Sequence, residues 1–340
     1  MIKHAIAKLA DRASLTEKEA EGAMNDIMDG VASPAQIAAY LMGLRLKGET
    51  VEEIAGSVTA MRERATRIAI GDPLVVDTCG TGGDGLYTFN ISTIAAFVVA
   101  GTGLTVAKHG NRSVSSKCGS ADVLAALGVN IELPTDRIAD CINEVGIGFL
   151  FAPLYHGAMK HCAAIRQEMG IRTMLNILGP LSNPAGAGIQ LLGVYEPRLT
   201  DLLGKVLMHL GSHHCFVVHG MDGLDEITLT ERTLIAEAKG GVLSNYVVDP
   251  SEFGLHRVPA RELAGGSPQE NAAIARDVLN GKRGPKRDIV CLNAAPALVA
   301  GRKAKTLQDG FRLAADTIDS GAAAEKLAKL IAYSHRAETR

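Results

Sequence analysis

The sequence predicts an α/β protein in two parts: a small all-helical N-terminal domain over residues 1–70, then a larger α/β domain over 71–340 with a mostly parallel central sheet. Three observations carry this prediction. The first seventy residues hold repeated helix start and stop signals. Gly71-Asp72-Pro73 then interrupts the pattern as a boundary. Beyond it, short apolar runs of strand length alternate with helix-length segments, which is how a sheet with crossover helices reads.

The elements follow in order. Thr16 with Glu19, Ser33 with Gln36, and Thr50 with Glu53 each fit a capping box, where a hydroxyl and a carboxyl or amide side chain satisfy two orphan N–H groups reciprocally. Pro34 falls at the favoured first helical position, and Gly30 and Gly48 fall where helix ends favour glycine. Ile37, Tyr40, Leu41 and Leu44 recur at helical spacing and give that helix one apolar face. Leu74–Val76, Leu104–Ala107, Phe149–Ala152, Cys215–Val218 and Val242–Val248 read as strands. Helices are expected near 92–100, 120–127, 136–144, 156–169, 199–210, 268–279, 288–300 and 306–333. Only the segment 261–286 is loop-rich, and there is no internal repeat or low-complexity stretch.

Composition bounds the function. Hydrophobic residues make up 47% of the 340 residues and charged residues 21%, enough for a sizeable core. Apolar runs such as Ile94–Ala100 fall far below the roughly 18 residues that cross a bilayer, and no signal peptide opens the chain, so no membrane is expected and the location is read as cytoplasmic. The six cysteines lack Cys-x-x-Cys spacing and read as thiols of a reducing compartment. A net charge of −2 lacks the basic excess of a dedicated nucleic-acid binder, so no nucleic acid is expected.

Two glycine-rich stretches carry the chemistry. Gly80-Thr81-Gly82-Gly83-Asp84-Gly85 follows the apolar run Leu74–Val76, and Asn90, Ile91, Ser92 and Thr93 precede an apolar helix that their polar side chains can cap. A loop of small residues lets backbone N–H groups approach an anion, and the helix end adds partial positive charge. Lys108-His109-Gly110-Asn111-Arg112-Ser113-Val114-Ser115-Ser116 adds full charges at Lys108, His109 and Arg112, with hydroxyl donors at Ser113, Ser115 and Ser116. Together they suit a pyrophosphate. Neither the GxGxxG nor the Walker pattern fits, and Asp84 makes sense if the anion arrives with a divalent cation whose water it holds. Asp225-Glu226, after the apolar run Cys215–Val218, is a candidate hard-cation site; a solvated turn is the plain alternative.

At these residues the chain resembles the anthranilate phosphoribosyltransferase family, whose members join anthranilate to 5-phosphoribosyl-1-pyrophosphate in tryptophan biosynthesis. The likeness runs from the N-terminal helices to about Ala323, through Asp77–Thr93, Lys108–Gly128, Phe149–Pro153, His156, Ala158–Lys160, Arg166, Gly170–Thr173, Asn176–Pro184, His219–Glu226 and Leu292–Ala295. Tyr155 and Gly157 depart from a common His and Pro, and Leu175 from a common Phe; they flank the expected aromatic-acid channel.

The resemblance implies a transferase of the glycosyltransferase, pentosyltransferase class that is a homodimer through its N-terminal domain, joined by helices from about 156–180. It implies a phosphoribosyl pyrophosphate site of Gly80, Gly82, Gly83, Asp84, Thr88, Asn90, Ile91, Ser92, Thr93, Lys108, His109, Gly110, Asn111, Arg112, Ser113, Val114, Ser115, Ser116 and Ser120. It also implies Mg2+ held by Ser92, Asp225 and Glu226, and an anthranilate site of Gly80, Asn111, His156, Arg166, Gly179 and Pro180. Displacing pyrophosphate from the anomeric carbon needs charge stabilisation, assigned to the loop N–H groups, magnesium and Lys108. Arg166 is expected to pair with the anthranilate carboxylate, while His109, His156 and Asn111 orient the amine. The aryl amine's lone pair is already available, so no residue is assigned as general base. A pyrimidine nucleoside phosphorylase shares a similar architecture, but Asn111-Arg112, Arg166 and Asp225-Glu226 speak against it. A non-catalytic nucleic-acid-binding relative should lack the carboxylates or the arginine, and this chain has both.

Overall fold

A computed structural model describes residues 1–72, 74–113 and 117–336. Its helical start comprises α1 Ile2–Ala10, α2 Glu17–Met28, α3 Pro34–Lys47 and α4 Val51–Arg64. All three expected capping boxes form, closing α2, α3 and α4 at Thr16, Ser33 and Thr50. Gly48 caps α3 with φ +90°, and Gly30, just past α2, has φ +71°, a conformation that only glycine adopts cheaply.

The chain then alternates. It runs β1 Val76–Gly80, α5 Ile91–Gly101, β2 Val106–Gly110, α6 Ser120–Leu127, α7 Thr135–Val145, β3 Ile147–Phe151, α8 Ala152–Tyr155, α9 Lys160–Met169, α10 Leu175–Leu181 and β4 Ile189–Gly193. After these come α11 Arg198–His209, β5 His214–Gly220, β6 Thr233–Lys239, β7 Val242–Val248, α12 Pro268–Leu279, α13 Pro285–Ala300, α14 Leu307–Asp319 and α15 Ala322–Ser334. The sheet order is β3-β2-β1-β4-β5-β6-β7, parallel from β3 to β5 and antiparallel in its last two pairings. The C-terminal ends of β1 and β4 flank the point where strand order reverses, the crevice where open α/β sheets bind ligands.

One apolar cluster fills the sheet face covered by α5, α13 and α15; the other joins the N-terminal helices to Cys162, Ile165, Met174 to Leu181 and the opposite sheet face. Helix α5 is buried nearly all round, and Gly101 at its end lets the α14–α15 turn come close: a Cβ there would lie 2.7 Å from the Thr317 side chain and 3.0 Å from the Ala323 nitrogen. The helix expected over 306–333 breaks at Ser320-Gly321, where Gly321 has φ +79°. Strands β4 and β6 were not expected, and β1 runs on past Val76 through Asp77 and Thr78 to Gly80.

Candidate active site

The first glycine-rich stretch leaves the end of β1 as a loop in which Gly82, Gly83 and Gly85 have φ +65°, +77° and +78°. Thr81 anchors it to the end of β4: its N–H donates to Gly193 O at 2.9 Å, and its hydroxyl accepts from Tyr195 N at 3.2 Å. Two glycines make room for the acidic loop beneath. A Cβ at Gly80 would lie 2.5 Å from Asp225 Oδ2, and one at Gly193 only 1.6 Å from the Asp225 carbonyl oxygen.

The acidic residues sit on the donors. Gly82 N–H donates to Asp225 Oδ2 at 2.7 Å, and Ser92 N–H, in the first turn of α5, donates to Glu226 Oε1 at 3.1 Å. Two backbone N–H groups expected to hold phosphate therefore point at negative charge already. Burial, then the neighbouring Asp84, raises the Asp225 carboxyl to about 7; burial, then Asp225, raises Glu226 to about 8. Such a pair suits a divalent cation, which favours the ionised form of both. Among the described residues no group of three His, Cys, Asp or Glu side chains could hold a metal alone. Two carboxylates, with phosphate oxygens and water completing the shell, are the donor set magnesium takes in phosphate sites.

Lys108 is 3% exposed on β2 and donates to Thr78 O and, at 3.4 Å, to Ser92 Oγ. Burial lowers its pKa, opposed by Asp77, Cys79 and Glu226. Its ammonium thus joins β1 at Thr78 to the first turn of α5 at Ser92, with the charge of Glu226 nearby. Gly110 lets the second stretch turn tightly, since a Cβ there would lie 2.1 Å from Ser120 Oγ, which donates to Asn111 O at 3.3 Å. Arg112 and Asn111 are exposed. Arg112 pairs with Asp122 at 3.1 Å and lies over the Phe151 ring, so in this conformation its charge is turned onto α6. Ser113 N–H donates to Asp122 Oδ2 at 3.1 Å. Val114, Ser115 and Ser116 lie outside the described residues.

Asn90 does not cap α5 with its side chain, contrary to expectation. Its amide instead donates to Cys118 O at 3.1 Å and accepts from Asn271 Nδ2 at 2.9 Å, tying three distant segments together. Ile91 is 1% exposed and gives its N–H to Phe89 O, so its side chain belongs to the core. Thr93 is buried in the first turn of α5, and Thr88 bridges Ala264.

Lys108 is followed by His109, whose ring lies 5.2 Å from that of His156. Both rings are buried and bond to backbone, His109 at Gly179 and His156 at Ser182, while neither Nε2 has a partner. Burial, then the second imidazole, lowers His109 to about 3, so it is neutral, and a ring N–H donated to a carbonyl leaves Nε2 as an acceptor. Above Gly179 nothing lies within 4 Å of a built Cβ, and Pro180 beside it accepts from Gln190 at 2.9 Å through its carbonyl. Arg166 on α9 is partly buried, which lowers its pKa, and among the described residues no carboxylate pairs with it. Tyr155 and Leu175 are both core residues, and nothing lies within 4 Å of a Cβ at Gly157.

Three residues carry more than their sequence suggested. Arg172 donates to Gly83 O while stacking over Tyr195 at 4.2 Å, clasping the glycine loop from the α9–α10 connection. Asp77 and Asn183 are buried polar residues joined at 2.8 Å. Each falls in a segment that matches the family pattern, but only the polarity of Asp77 after the apolar run Leu74–Val76 hinted at a buried role.

The sequence matches the glycosyl transferase family over both its parts, the helical bundle domain at residues 3–65 and the a/b domain at 72–324. The anthranilate phosphoribosyltransferase of Moorella thermoacetica is 56% identical over 333 residues, covering 98% of each chain. That of Pelotomaculum thermopropionicum is 55% identical over 334 residues, 98% of this chain and 97% of its own. The crystal structure of the Thermus thermophilus enzyme superposes with a TM-score of 0.93 at 42% identity, over 98% of this chain and 99% of that one. The Saccharomyces cerevisiae enzyme, solved in complex with PRPP and Mg, gives 0.88 at 28% identity over 98% and 97%. Matched along nearly its whole length in sequence and in fold, this chain belongs to the anthranilate phosphoribosyltransferase family.

Proposed function

We propose that the chain transfers the phosphoribosyl group of 5-phosphoribosyl-1-pyrophosphate to the amine of anthranilate, releasing pyrophosphate, in tryptophan biosynthesis. The observation that carries this reading is the placement of Asp225 and Glu226 on the N–H groups of Gly82 and Ser92. Donors aimed at anions and carboxylates raised toward neutrality make one subsite for a magnesium-bound pyrophosphate. Magnesium, when bound, neutralises charge building on the leaving pyrophosphate.

The chain's own residues divide the remaining work. Gly80, Gly82 and Gly83 line the loop that faces the phosphates, with the Gly82 N–H holding Asp225; Asn90, Ser92 and Thr93 stand at the start of α5 for the phosphate ends, with Ser92, Asp225 and Glu226 toward the metal. Lys108 stabilises charge from below, and Asn111, Arg112 and Ser120 frame the second loop. Arg112 reaches substrate on leaving Asp122, a surface pair of little strength. Arg166 offers its guanidinium to the anthranilate carboxylate, and Gly179 with Pro180 supplies an uncrowded surface for the ring. The unpartnered Nε2 atoms of His109 and His156 accept from the amine and orient its lone pair. No general base is needed before the C–N bond forms.

The reading includes the division near Gly71-Asp72, with α9 and α10 joined to the N-terminal helices as their shared apolar cluster supports. It also includes a homodimer through the N-terminal helices, supported by Val31, Met42 and Leu46 at 74%, 39% and 77% exposure. A monomeric mass by light scattering at micromolar concentration contradicts the dimer. Among the described residues no helix is long and apolar enough to cross a membrane, and the buried thiols suit a cytoplasmic setting. Loss of anthranilate fluorescence with phosphoribosyl pyrophosphate and magnesium tests the reaction. Phosphorolysis of a pyrimidine nucleoside without that loss overturns it.

A further inference from the structure

We propose that Asp77 is a positioning residue for the transfer reaction, acting with Asn183 as a wedge between β1 and β2 that fixes the peptide joining Lys108 to His109. The sheet is split at this point. Strand β1 pairs with β4 at five successive positions, Val76↔Ile189 to Gly80↔Gly193, and β2 pairs with β3 from Val106↔Ile147 to Gly110↔Phe151. Between β1 and β2 the ladder holds only Val76↔Val106.

Beyond that pair, buried side chains satisfy backbone groups that a closed ladder would use. His109 N–H donates to Asp77 Oδ1 at 3.2 Å, and Ala107 O accepts from Asn183 Nδ2 at 2.8 Å. The same Nδ2 donates to Asp77 Oδ2 at 2.8 Å, and Asn183 Oδ1 accepts from Ala185 N–H at 2.9 Å, so the amide is held at both ends. Asp77 is 0% exposed and Asn183 4%. Burial raises the Asp77 carboxyl above its usual range, opposed by Lys108, Asn183 and the His109 N–H, so each hydrogen bond to it is made in a dry setting.

The consequence reaches both substrates. Consecutive strand residues point to opposite faces. Lys108 therefore reaches Ser92 on the acidic-pair side, while His109 reaches Gly179 and His156. The N–H that Asp77 holds belongs to the peptide between them. Letting β1 and β2 close would displace Lys108 and His109 together, disturbing how the bound substrates face each other more than how tightly each binds.

The inference rests on the phosphoribosyl transfer proposed above. Asp77→Asn keeps the size and an acceptor for His109 N–H, but sets its amide nitrogen against that of Asn183. Asn183→Ala removes the bridge to Ala107. Steady-state kinetics with both substrates, normalised to folded protein, should show kcat reduced about 10-fold or more in each variant with each KM within about threefold. The double variant should lose no more than the poorer single one, because both remove one clasp. Wild-type kcat in Asp77→Asn, losses that multiply in the double variant, or losses explained by the unfolded fraction overturn the wedge. If Asp77→Asn does not fold, the kcat of Asn183→Ala decides alone. A wild-type chain that forms no product overturns the reaction instead, so the two failures are distinct.

Discussion

Replacing Glu226 with Gln should stabilise the protein while slowing it. Gln keeps an oxygen to accept from Ser92 N–H and removes only the charge. Burial, and then Asp225, carries the Glu226 carboxyl from 4.5 to about 8. Because the folded pKa is raised, the associated stability is fully present below 4.5 and is lost as pH rises through about 8. At about 1.4 kcal/mol per pH unit that interval sets a ceiling of about 5 kcal/mol. Asp225 titrates with it and shares the shift, so about 2 kcal/mol is expected for the single replacement. Urea unfolding in the presence of a chelator should give variant and wild type similar stability near about pH 5 and favour the variant by about 2 kcal/mol near about pH 9. Turnover with magnesium should fall about 10-fold or more. Comparing the two proteins at each pH cancels the titrating groups that do not interact with Glu226. A difference that is independent of pH, or that favours wild type at the alkaline end, refutes the reasoning.

Replacing Asp225 and Glu226 together with Ala should cut turnover about 100-fold or more and leave the far-ultraviolet circular dichroism unchanged, since both sit on the loop between β5 and β6, outside any helix or strand; near-normal turnover at low magnesium refutes their assignment. Arg166→Ala should weaken anthranilate binding by about 2–5 kcal/mol, less where water enters, and barely change binding of phosphoribosyl pyrophosphate. Gly83→Val should do the reverse, because φ +77° is unfavourable for a branched residue, and calorimetric titration of each variant with each substrate reads the crossed pattern. Gly193→Ala places a Cβ 1.6 Å from the Asp225 carbonyl oxygen, so the acidic loop must shift. Thermal unfolding should report a loss of about 1–3 kcal/mol, and an unchanged midpoint refutes the close approach.

What could be read from the sequence is mostly what is local. The pairs Thr16–Glu19, Ser33–Gln36 and Thr50–Glu53 are each closed within one turn, so residue identity alone specifies them. Strand β4 lies at the sheet centre with every residue buried, yet its five residues follow a glycine-rich stretch and take their partners from β1 and β5. Strand β6 mixes Thr233, Glu237 and Lys239 with apolar residues and pairs antiparallel with its neighbours, a weaker signal than an apolar run. Asp77 and Thr78 hid the length of β1, because polar residues in a central strand make sense only once Asn183 and Ser92, remote in sequence, are seen to meet them. The site shows the same division. The glycine loops and the acidic pair were legible as motifs, whereas the turning of Arg112 onto Asp122 and the Arg172 clasp on Gly83 depend on tertiary neighbours.

Helix α5 gains a particular property from its surroundings. Ile91 and every residue from Thr93 to Ala100 are buried, and the absence of a side chain at Gly101 brings the α14–α15 turn against its far end. Water cannot line its flanks, so little solvent polarisation opposes the aligned peptide dipoles along its length. Its field escapes chiefly at the end where Ser92 N–H is exposed to charge, as light leaves a sheathed fibre only at its tip. The C-terminal helices thus serve as electrical insulation behind the phosphate end of the cleft, and a chain cut before Ala322 would weaken the hold on phosphate by wetting α5 from behind.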